Sequence, residues 1–239
     1  MGRYYAGHWE TTLAISLTWH RSLDYPGKVR PQTPETWRAP SWFWASIDGK
    51  AIFSHLEGSI PKLLVTILNV MTSPVGDDPM GQISSASLAL VGQCLYATLE
   101  THWEEESDGY SCCVRTSPRA YSTVGSICLR NFEFTTGYKD DGMLYSIRPE
   151  LHGLIFDYDL LSAGPYHVPN GSKILIMKYD ETVSEGRKIR NWLMFREIDR
   201  KNRVCERIGL IRLWHENKVT RKMNRSFEED SIEMKVTVV

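Results

Sequence analysis

The chain has 239 residues, of which 42% are hydrophobic and 24% are charged, and its formal net charge is −1. This composition is typical of a globular domain and excludes a disordered or fibrous chain. No stretch reaches the about 18 consecutive apolar residues of a membrane span, and the first residues lack the apolar core of a secretory signal. We therefore expect no membrane association and a cytoplasmic location.

Residues 1–24 are predicted to form a helical entry segment. Apolar side chains recur there at the spacing of one helix face, namely Trp9, Leu13, Ile15, Leu17 and Trp19. His20 and Arg21 follow at the expected carboxyl end, where cations suit the negative pole of a helix. Pro26 and Gly27 then end the predicted helix.

Residues 41–53 are predicted to form a β-hairpin, with a tight turn at the Asp-Gly dipeptide. Trp42 and Trp44 would share one face of its first strand, because successive side chains of a strand alternate. Since Phe43 would cover the opposite face, we favour a core role for both indoles. The alternative is a platform on which a sugar or a nucleic-acid base stacks.

Seven further segments are predicted to form strands, because short apolar runs end at turn residues: 62–71, 83–96, 151–158, 173–179, 191–197, 204–214 and 232–239. Residues 104–139 lack clear periodicity and are predicted to form a long mobile excursion, with one strand near 126–130. The pattern predicts a mainly β fold, an antiparallel β-sandwich or barrel, as a single domain over residues 1–239. Residues 41–239 would form its β-rich body.

Residues able to carry chemistry form no recognisable catalytic or metal motif. The seven histidines are scattered, and the five cysteines, an odd number, contain no Cys-x-x-Cys pair. Asp157 and Asp159 would share one face of a strand, where two carboxylates could serve acid–base or metal chemistry. We favour a solvated strand face for this pair. No catalytic residue, cofactor or metal is therefore predicted.

The charges are distributed unevenly along the chain. Residues 187–225 contain 13 Lys or Arg and 4 Asp or Glu, a net charge of +9, which leaves −10 for the remainder. A basic stretch of this kind can follow the phosphates of a nucleic acid. Apolar residues such as Trp192, Phe195 and Leu210 are interleaved with these cations, which favours strands whose outward positions carry Lys and Arg. Nucleic-acid binding is therefore not expected.

Six sequence blocks stand out along the chain. They are AGHWE at 6–10, LTW at 17–19, RAPSWFWASIDG at 38–49, DPMGQI at 78–83, LALVG at 88–92 and ERIGL at 206–210. Together they resemble the region downstream of the HET domain in fungal heterokaryon-incompatibility (HET) proteins, and the block at 38–49 is the most specific. His8, Trp37 and Phe43 depart from the family pattern, which has Leu, Tyr and Ser at these places.

The resemblance implies a part in fungal non-self recognition. In HET proteins the HET domain lies upstream and is linked to cell death, and this chain corresponds to the region after it. No family catalytic residue carries over, so we expect a non-catalytic module with a protein partner, the first candidate being a HET domain in the same or another chain. The alternative is a ligand-binding or hydrolytic β-domain that uses the Trp-rich segment. Ten motif residues are expected to act structurally: Trp9, Arg38, Pro40, Trp42, Trp44, Asp48, Gly49, Gly81, Arg207 and Gly209.

Overall fold

The computed structural model describes residues 2–21, 34, 36–53, 60–78, 80–104, 109–116, 128–130, 152–157, 160, 166–184, 187–214, 224–225 and 227–239. Its strands are β1 (Tyr4–Tyr5), β2 (His8–Trp9), β3 (His20–Arg21), β4 (Ala51–Ile52), β5 (Lys62–Leu63), β6 (Val65–Pro74), β7 (Ile83–Glu104), β8 (Gly109–Thr116), β9 (Cys128–Arg130), β10 (His152–Phe156), β11 (Lys173–Ser184), β12 (Arg187–Asp199), β13 (Val204–Trp214) and β14 (Ile232–Val238). A short helix, α1 (Leu13–Ser16), lies between β2 and β3. The structure is therefore mainly β.

Ten of these strands join one large sheet with β7 at its centre. Strands β6 and β14 pair with the first half of β7, and β11 and β8 pair with its second half. Strand β11 pairs with β12, β12 with β13, and β13 with both β14 and β10. Among the described strands only the β13–β14 pair is parallel, so the sheet is mixed. The prediction of a mainly β fold is confirmed, and the choice between sandwich and barrel stays a prediction.

Buried apolar clusters lie on both faces of strand β11. Ile174 of β11 packs in a cluster that contains Trp19, which we call the Trp19 cluster. Its neighbour Leu175 points the other way into a second cluster, the Trp42 cluster. A strand buried on both faces reads as a continuous apolar run, which explains why β11 is recognisable from its sequence.

Residues 2–21, the described part of the predicted helical segment 1–24, do not form one continuous helix. The region contains a β1–β2 hairpin, the four residues of α1 and strand β3. Ala6 and Gly7 form the hairpin turn with positive φ angles of 46° and 95°, and a side chain at Gly7 would overlap the ring of Phe43. Trp9 consequently lies at the surface with 41% of its area exposed. Tertiary packing therefore overrides the helical spacing of the apolar residues.

The predicted hairpin over residues 41–53 is also wrong. A turn after Pro40 and a short 3₁₀ helix (Trp44–Ser46) replace its first strand, and its second strand, β4, pairs with β3 instead. The two indoles therefore do not share a face. Trp42 is 1% exposed and belongs to the core, whereas Trp44 is 40% exposed. The core prediction is wrong for Trp44 because the backbone turns between the two residues.

Part of the region 104–139 is β structure rather than an aperiodic excursion. Strand β8 pairs with the end of β7, and β9 pairs with β8. Strand β9 coincides with the strand predicted near 126–130, while the sequence pattern does not anticipate β8. The other residues of this region lie outside the described residues, and so does Asp159.

Candidate functional site

Residues 38–49 form a loop that Arg38 holds together. The guanidinium of Arg38 donates to the carbonyl oxygens of Ala45 and Ile47, each at 2.5 Å. It also pairs with the Asp48 carboxylate at 2.7 Å. Because this ion pair is exposed, it contributes little to stability by itself, and the bonds to the main chain shape the loop. The loop consequently presents one indole to the core and one to solvent.

Ser41 joins this loop to two distant segments. Its N–H donates to the carbonyl of Val239 at 3.0 Å, and its hydroxyl donates to the same carbonyl. The hydroxyl oxygen also accepts a hydrogen bond from the backbone N–H of Arg207 at 2.9 Å. The loop, β13 and the residue after β14 therefore meet at one side chain.

Arg207 and Asp157 form a buried ion pair. Both side chains are 1% exposed; Arg207 Nε lies 3.0 Å from Asp157 Oδ2, and Nη2 donates to Oδ1 at 3.1 Å. The pairing of β10 with β13 brings them together, and the Asp157 N–H donates to the carbonyl of Ile208 at 3.0 Å. The prediction of a solvated Asp157 is therefore wrong. A carboxylate directly after the apolar run of β10 is the signal that could have indicated a buried partner.

Arg207 also holds the N-terminal segment. Its Nη1 donates to the carbonyl of Leu17 at 2.7 Å, and its Nη2 donates to that of Trp19 at 2.6 Å. The guanidinium carbon lies 4.1 Å from the Trp19 ring centroid, and Trp19 Nε1 donates to the carbonyl of Trp42 at 2.9 Å. A planar guanidinium can stack and donate in several directions at once. Arg207 thus links the Trp19 cluster to the loop.

A second polar pair, His8 and Ser16, lies beside Trp42. The Ser16 hydroxyl is 2.6 Å from His8 Nδ1 and also donates to the carbonyl of Leu13 at 3.0 Å. The His8 ring centroid lies 6.0 Å from that of Trp42 and 4.9 Å from that of Phe43. The sequence analysis does not anticipate this pair, since the folding of β2 against α1 creates it.

Burial shifts the pKa of one group in each polar pair. Burial and the nearby charge of Arg207 lower the pKa of His8 to about 4. Burial raises the pKa of Asp157 to about 6, although Arg207 acts in the opposite direction. A histidine with so low a pKa is a weak base at neutral pH. Within the fold, His8 lies at hydrogen-bond distance from Ser16 and Asp157 is paired with Arg207, so both pairs help to hold the fold.

Accessible aromatic side chains lie near this network. Trp44 meets Phe43 edge to face at a centroid distance of 5.1 Å. Trp9 meets Tyr4 in the same way at 5.3 Å, and Trp37 is also half-exposed. Half-exposed indoles combine an apolar ring with an N–H donor, a combination enriched at protein interfaces. These side chains are groups that a binding partner could reach.

Several cations of residues 187–225 are used within the fold. The ion pairs that join arginines of this stretch to carboxylates of the same chain include Arg190–Glu181, Arg196–Glu206, Arg200–Glu197, Arg207–Asp157 and Arg225–Glu229. Arg200 at the β12–β13 turn is more exposed, and it lies 5.9 Å from the ring of Tyr96. Because these arginines have partners within the fold, we favour the interpretation that they are polar residues of strands. The alternative is a basic surface that follows the phosphates of a nucleic acid.

Only some of the ten residues singled out in the sequence lie in this network. The loop itself contains Arg38, Pro40, Trp42, Trp44, Asp48 and Gly49, and Arg207 contacts it. Trp9 lies at the surface on β2, and Trp44 is the exposed indole of the loop. Gly49 borders open space, and Gly81 lies in the exposed β6–β7 turn, where its N–H donates to the carbonyl of Asp78. Gly209 lies against β10, and a Cβ there would be 2.3 Å from the carbonyl oxygen of Ile155.

Comparisons with known proteins give no match from which a role for this site could be taken. No family model matches the chain, and no curated protein and no solved structure matches it either. In the described part of the chain, no group of three or more His, Cys, Asp or Glu residues could hold a metal ion. No helix in the same ranges is long and apolar enough to cross a membrane.

Proposed function

We propose that this chain is the non-catalytic β-rich module of a heterokaryon-incompatibility-like protein, and that it binds a protein partner or regulates a HET domain in fungal non-self recognition. The observation that carries the proposal is the arrangement of the loop at 38–49. Its inward residues join the loop to Arg207 and Val239, while Trp44 stays 40% exposed. Exposed Trp side chains on a firmly held loop are typical anchors of protein interfaces.

The non-catalytic part of the proposal is supported by the state of the polar groups beside the loop. Asp157 and His8 are two groups there with the chemistry for acid–base work. Both are buried, and Asp157 is paired with Arg207. Burial and internal partners suit a structural role.

A binding titration between the chain and a purified HET domain tests this function. We expect the native chain to bind, and Trp44→Ala to weaken the affinity at least about tenfold, because truncation of a central indole is costly at interfaces. Trp9→Ala is the matched control, since Trp9 has the same side chain and the same exposure but lies on the β1–β2 hairpin. Absence of binding by the native chain, or equal losses in both variants, would contradict the proposal.

A second candidate function is a ligand-binding β-domain. The observation that favours it is the presence of three half-exposed indoles, Trp9, Trp37 and Trp44. A sugar or nucleotide that stacks on an indole changes its fluorescence, so a titration with oligosaccharides and nucleotides tests the idea. A change in emission that disappears in Trp44→Ala would favour this candidate over the protein-interaction module, and the absence of any response would exclude it.

We also propose that five strands close into a barrel. Strand β7 pairs with β11 and with β14, and β12 and β13 continue the pairing from one to the other. Side chains of all five strands belong to the Trp42 cluster, which would be the barrel interior. Hydrogen exchange tests the closure, since the amides of both β11 and β14 should be protected where they face β7. Fast exchange in either strand would contradict it.

A cytoplasmic location is part of the proposal. Cys94 and Cys205 are free and buried, and burial raises the pKa of each thiol to about 12. Protonated packing thiols of this kind are expected in a reducing compartment. A fluorescent fusion of the full-length protein should therefore fill the cytoplasm, and a signal in secretory compartments would contradict the assignment.

A further inference from the structure

The turn between β12 and β13 concentrates exposed positive charge. It contains Arg200, Lys201 and Arg203, which we call the basic turn, and all three residues are exposed. The Arg200 side chain is 71% exposed, and its guanidinium carbon lies 5.9 Å from the ring centroid of Tyr96. Contact with an aromatic ring can orient a guanidinium and leave its N–H groups to bind an anion. The three cations are therefore accessible to a partner.

The carboxylates next to the basic turn have donors within the fold. Asp199 accepts hydrogen bonds from the N–H of Asn202 at 3.1 Å and from its side-chain amide at 2.6 Å. The Glu197 side chain is 11% exposed, accepts from the Tyr96 hydroxyl at 3.1 Å and lies 3.8 Å from Arg200. The accessible surface of the turn consequently carries more positive than negative charge.

The backbone around the basic turn is irregular at two points. Ile198 lies where the register between β12 and β13 shifts, and its side chain is 55% exposed. A bulge of this kind redirects a side chain. Arg203 has a φ angle of 53°, which glycine and asparagine adopt more readily than arginine. Its carbonyl accepts a hydrogen bond from the N–H of Thr237 at 3.0 Å, so β14 holds the turn in place.

An acidic peptide segment complements this surface. Arginine binds carboxylates through paired, charge-assisted hydrogen bonds, and Ile198 adds an apolar contact that a phosphate backbone could not match. A nucleic acid is the less suitable partner, because its binding draws on cations spread along many phosphates. The arginines of the adjoining strands are already paired with carboxylates of the chain, as Arg190 and Arg196 show.

We propose that the basic turn and Ile198 form a docking surface for an acidic segment of a protein partner, with an apolar side chain among its carboxylates. The three cations bind the carboxylates, and Ile198 packs against the apolar side chain. This inference goes beyond the proposed function, because the basic turn shares no residue with the loop at 38–49 and its test contains no HET domain.

Fluorescence anisotropy of a fluorescein-labelled peptide of Glu interspersed with Leu, titrated with the full chain at low ionic strength, tests the proposal. We expect saturable binding that added salt weakens. The double substitution Lys201→Gln with Arg203→Asn removes two exposed charge pairs and should weaken the affinity at least about fivefold. Asparagine suits the positive φ angle at position 203, so the turn should keep its shape.

Lys62→Gln with Lys235→Gln is the matched control. It removes the same net charge from two exposed lysines, one on β5 and one on β14. The affinity of this variant should change less than about twofold, because distant exposed charges are screened. A loss in the turn variant with retention in the control is the expected result.

Absence of saturable binding by the native chain would overturn the proposal, and so would equal losses in both variants or equal binding of a peptide with Gln in place of Glu. Tighter binding of a single-stranded oligonucleotide of the same charge would overturn it in favour of a nucleic acid. Nuclear magnetic resonance of the native chain keeps the test valid if a variant does not fold. The amide signals of residues 198–203 should shift when the peptide is added, and shifts confined to other residues would overturn the docking surface.

Discussion

At the scale of single residues, Arg207 makes contacts that no other residue type could combine. It stacks on Trp19, donates to two main-chain carbonyls and pairs with Asp157. Asp157→Ala would leave the cation buried without its counter-ion, so we expect a loss of about 3–5 kcal/mol in the free energy of unfolding at neutral pH. Urea denaturation measures this loss, and a value below about 1 kcal/mol would contradict the buried pair.

The two indoles of the loop should differ in their effect on stability. Trp42 is enclosed in the core, so Trp42→Ala is expected to cost about 3–5 kcal/mol through the cavity it creates. Trp44 is half-exposed, and Trp44→Ala should cost less than about 1 kcal/mol. Guanidinium denaturation of both variants measures the two losses in unfolding free energy. Similar losses in the two variants would contradict this prediction.

His8 should make the protein less stable in acid. Its pKa is about 4 in the fold against an ordinary value of 6.5, so the unfolded chain binds the proton more readily. The contribution of His8 to stability is therefore complete above pH 6.5 and is lost as the pH falls towards 4. Asp157, whose pKa is raised from 3.8 to about 6, acts oppositely, since its contribution is complete below pH 3.8 and is lost as the pH rises through 6.

The variant His8→Phe isolates the histidine effect, because it leaves Asp157 in place. Between pH 6.5 and 4, the unfolding free energy of the native chain should fall relative to the variant by up to about 3 kcal/mol. Chemical denaturation across this pH range gives both curves. Parallel curves for native chain and variant would show that His8 is not the titrating group.

At the scale of secondary-structure elements, the motif glycines Gly81 and Gly209 have different surroundings. A Cβ at Gly209 would lie 2.3 Å from a backbone oxygen of β10, whereas a Cβ at Gly81 would lie 3.3 Å from Asp78 in an exposed turn. Gly209→Ala should therefore displace β10 and cost about 2–3 kcal/mol, while Gly81→Ala should cost less than about 1 kcal/mol. Thermal denaturation of the two variants distinguishes them, and a larger loss for Gly81→Ala would contradict this assignment.

The sequence pattern predicts most strands of the sheet, but it does not predict the N-terminal elements. Strands β11 and β13 follow largely apolar runs bounded by turn residues, and β14 follows the alternation of apolar and charged residues, because burial on the sheet dictates these patterns. Residues 1–24 show helical spacing, yet their hydrogen-bond partners lie on β13 and in the loop at 38–49. Such partners are invisible to a local pattern, so tertiary contacts decide the outcome.

The sequence predicts individual residues of the candidate site but not the contacts between them. The motif singles out Arg38, Trp42 and Arg207, but their roles depend on the register between β10 and β13, which places Asp157 beside Arg207. The carboxylate after the apolar run of β10 is compatible with burial, but the local sequence does not identify Arg207 as its partner. The exposure of Trp44 likewise follows from the turn after Pro40 and not from the alternation of aromatic residues.

At the scale of the whole molecule, the N-terminal segment, the loop at 38–49, β13 and the residue after β14 are joined through Ser41 and Arg207. Segments separated by most of the chain thus stabilise one another, and the loop can present Trp44 on a rigid base. A rigid anchor loses little conformational entropy when it binds, which favours its use in an interface. We propose that this surface contacts a HET domain.

Hydrogen exchange of the chain with and without a HET domain tests this claim most directly. The account predicts slower exchange of the amides of residues 43–48 in the complex, and unchanged exchange in the buried strands β11 and β13. Binding that leaves residues 43–48 unchanged, or a HET domain that alters exchange nowhere in the chain, would contradict it.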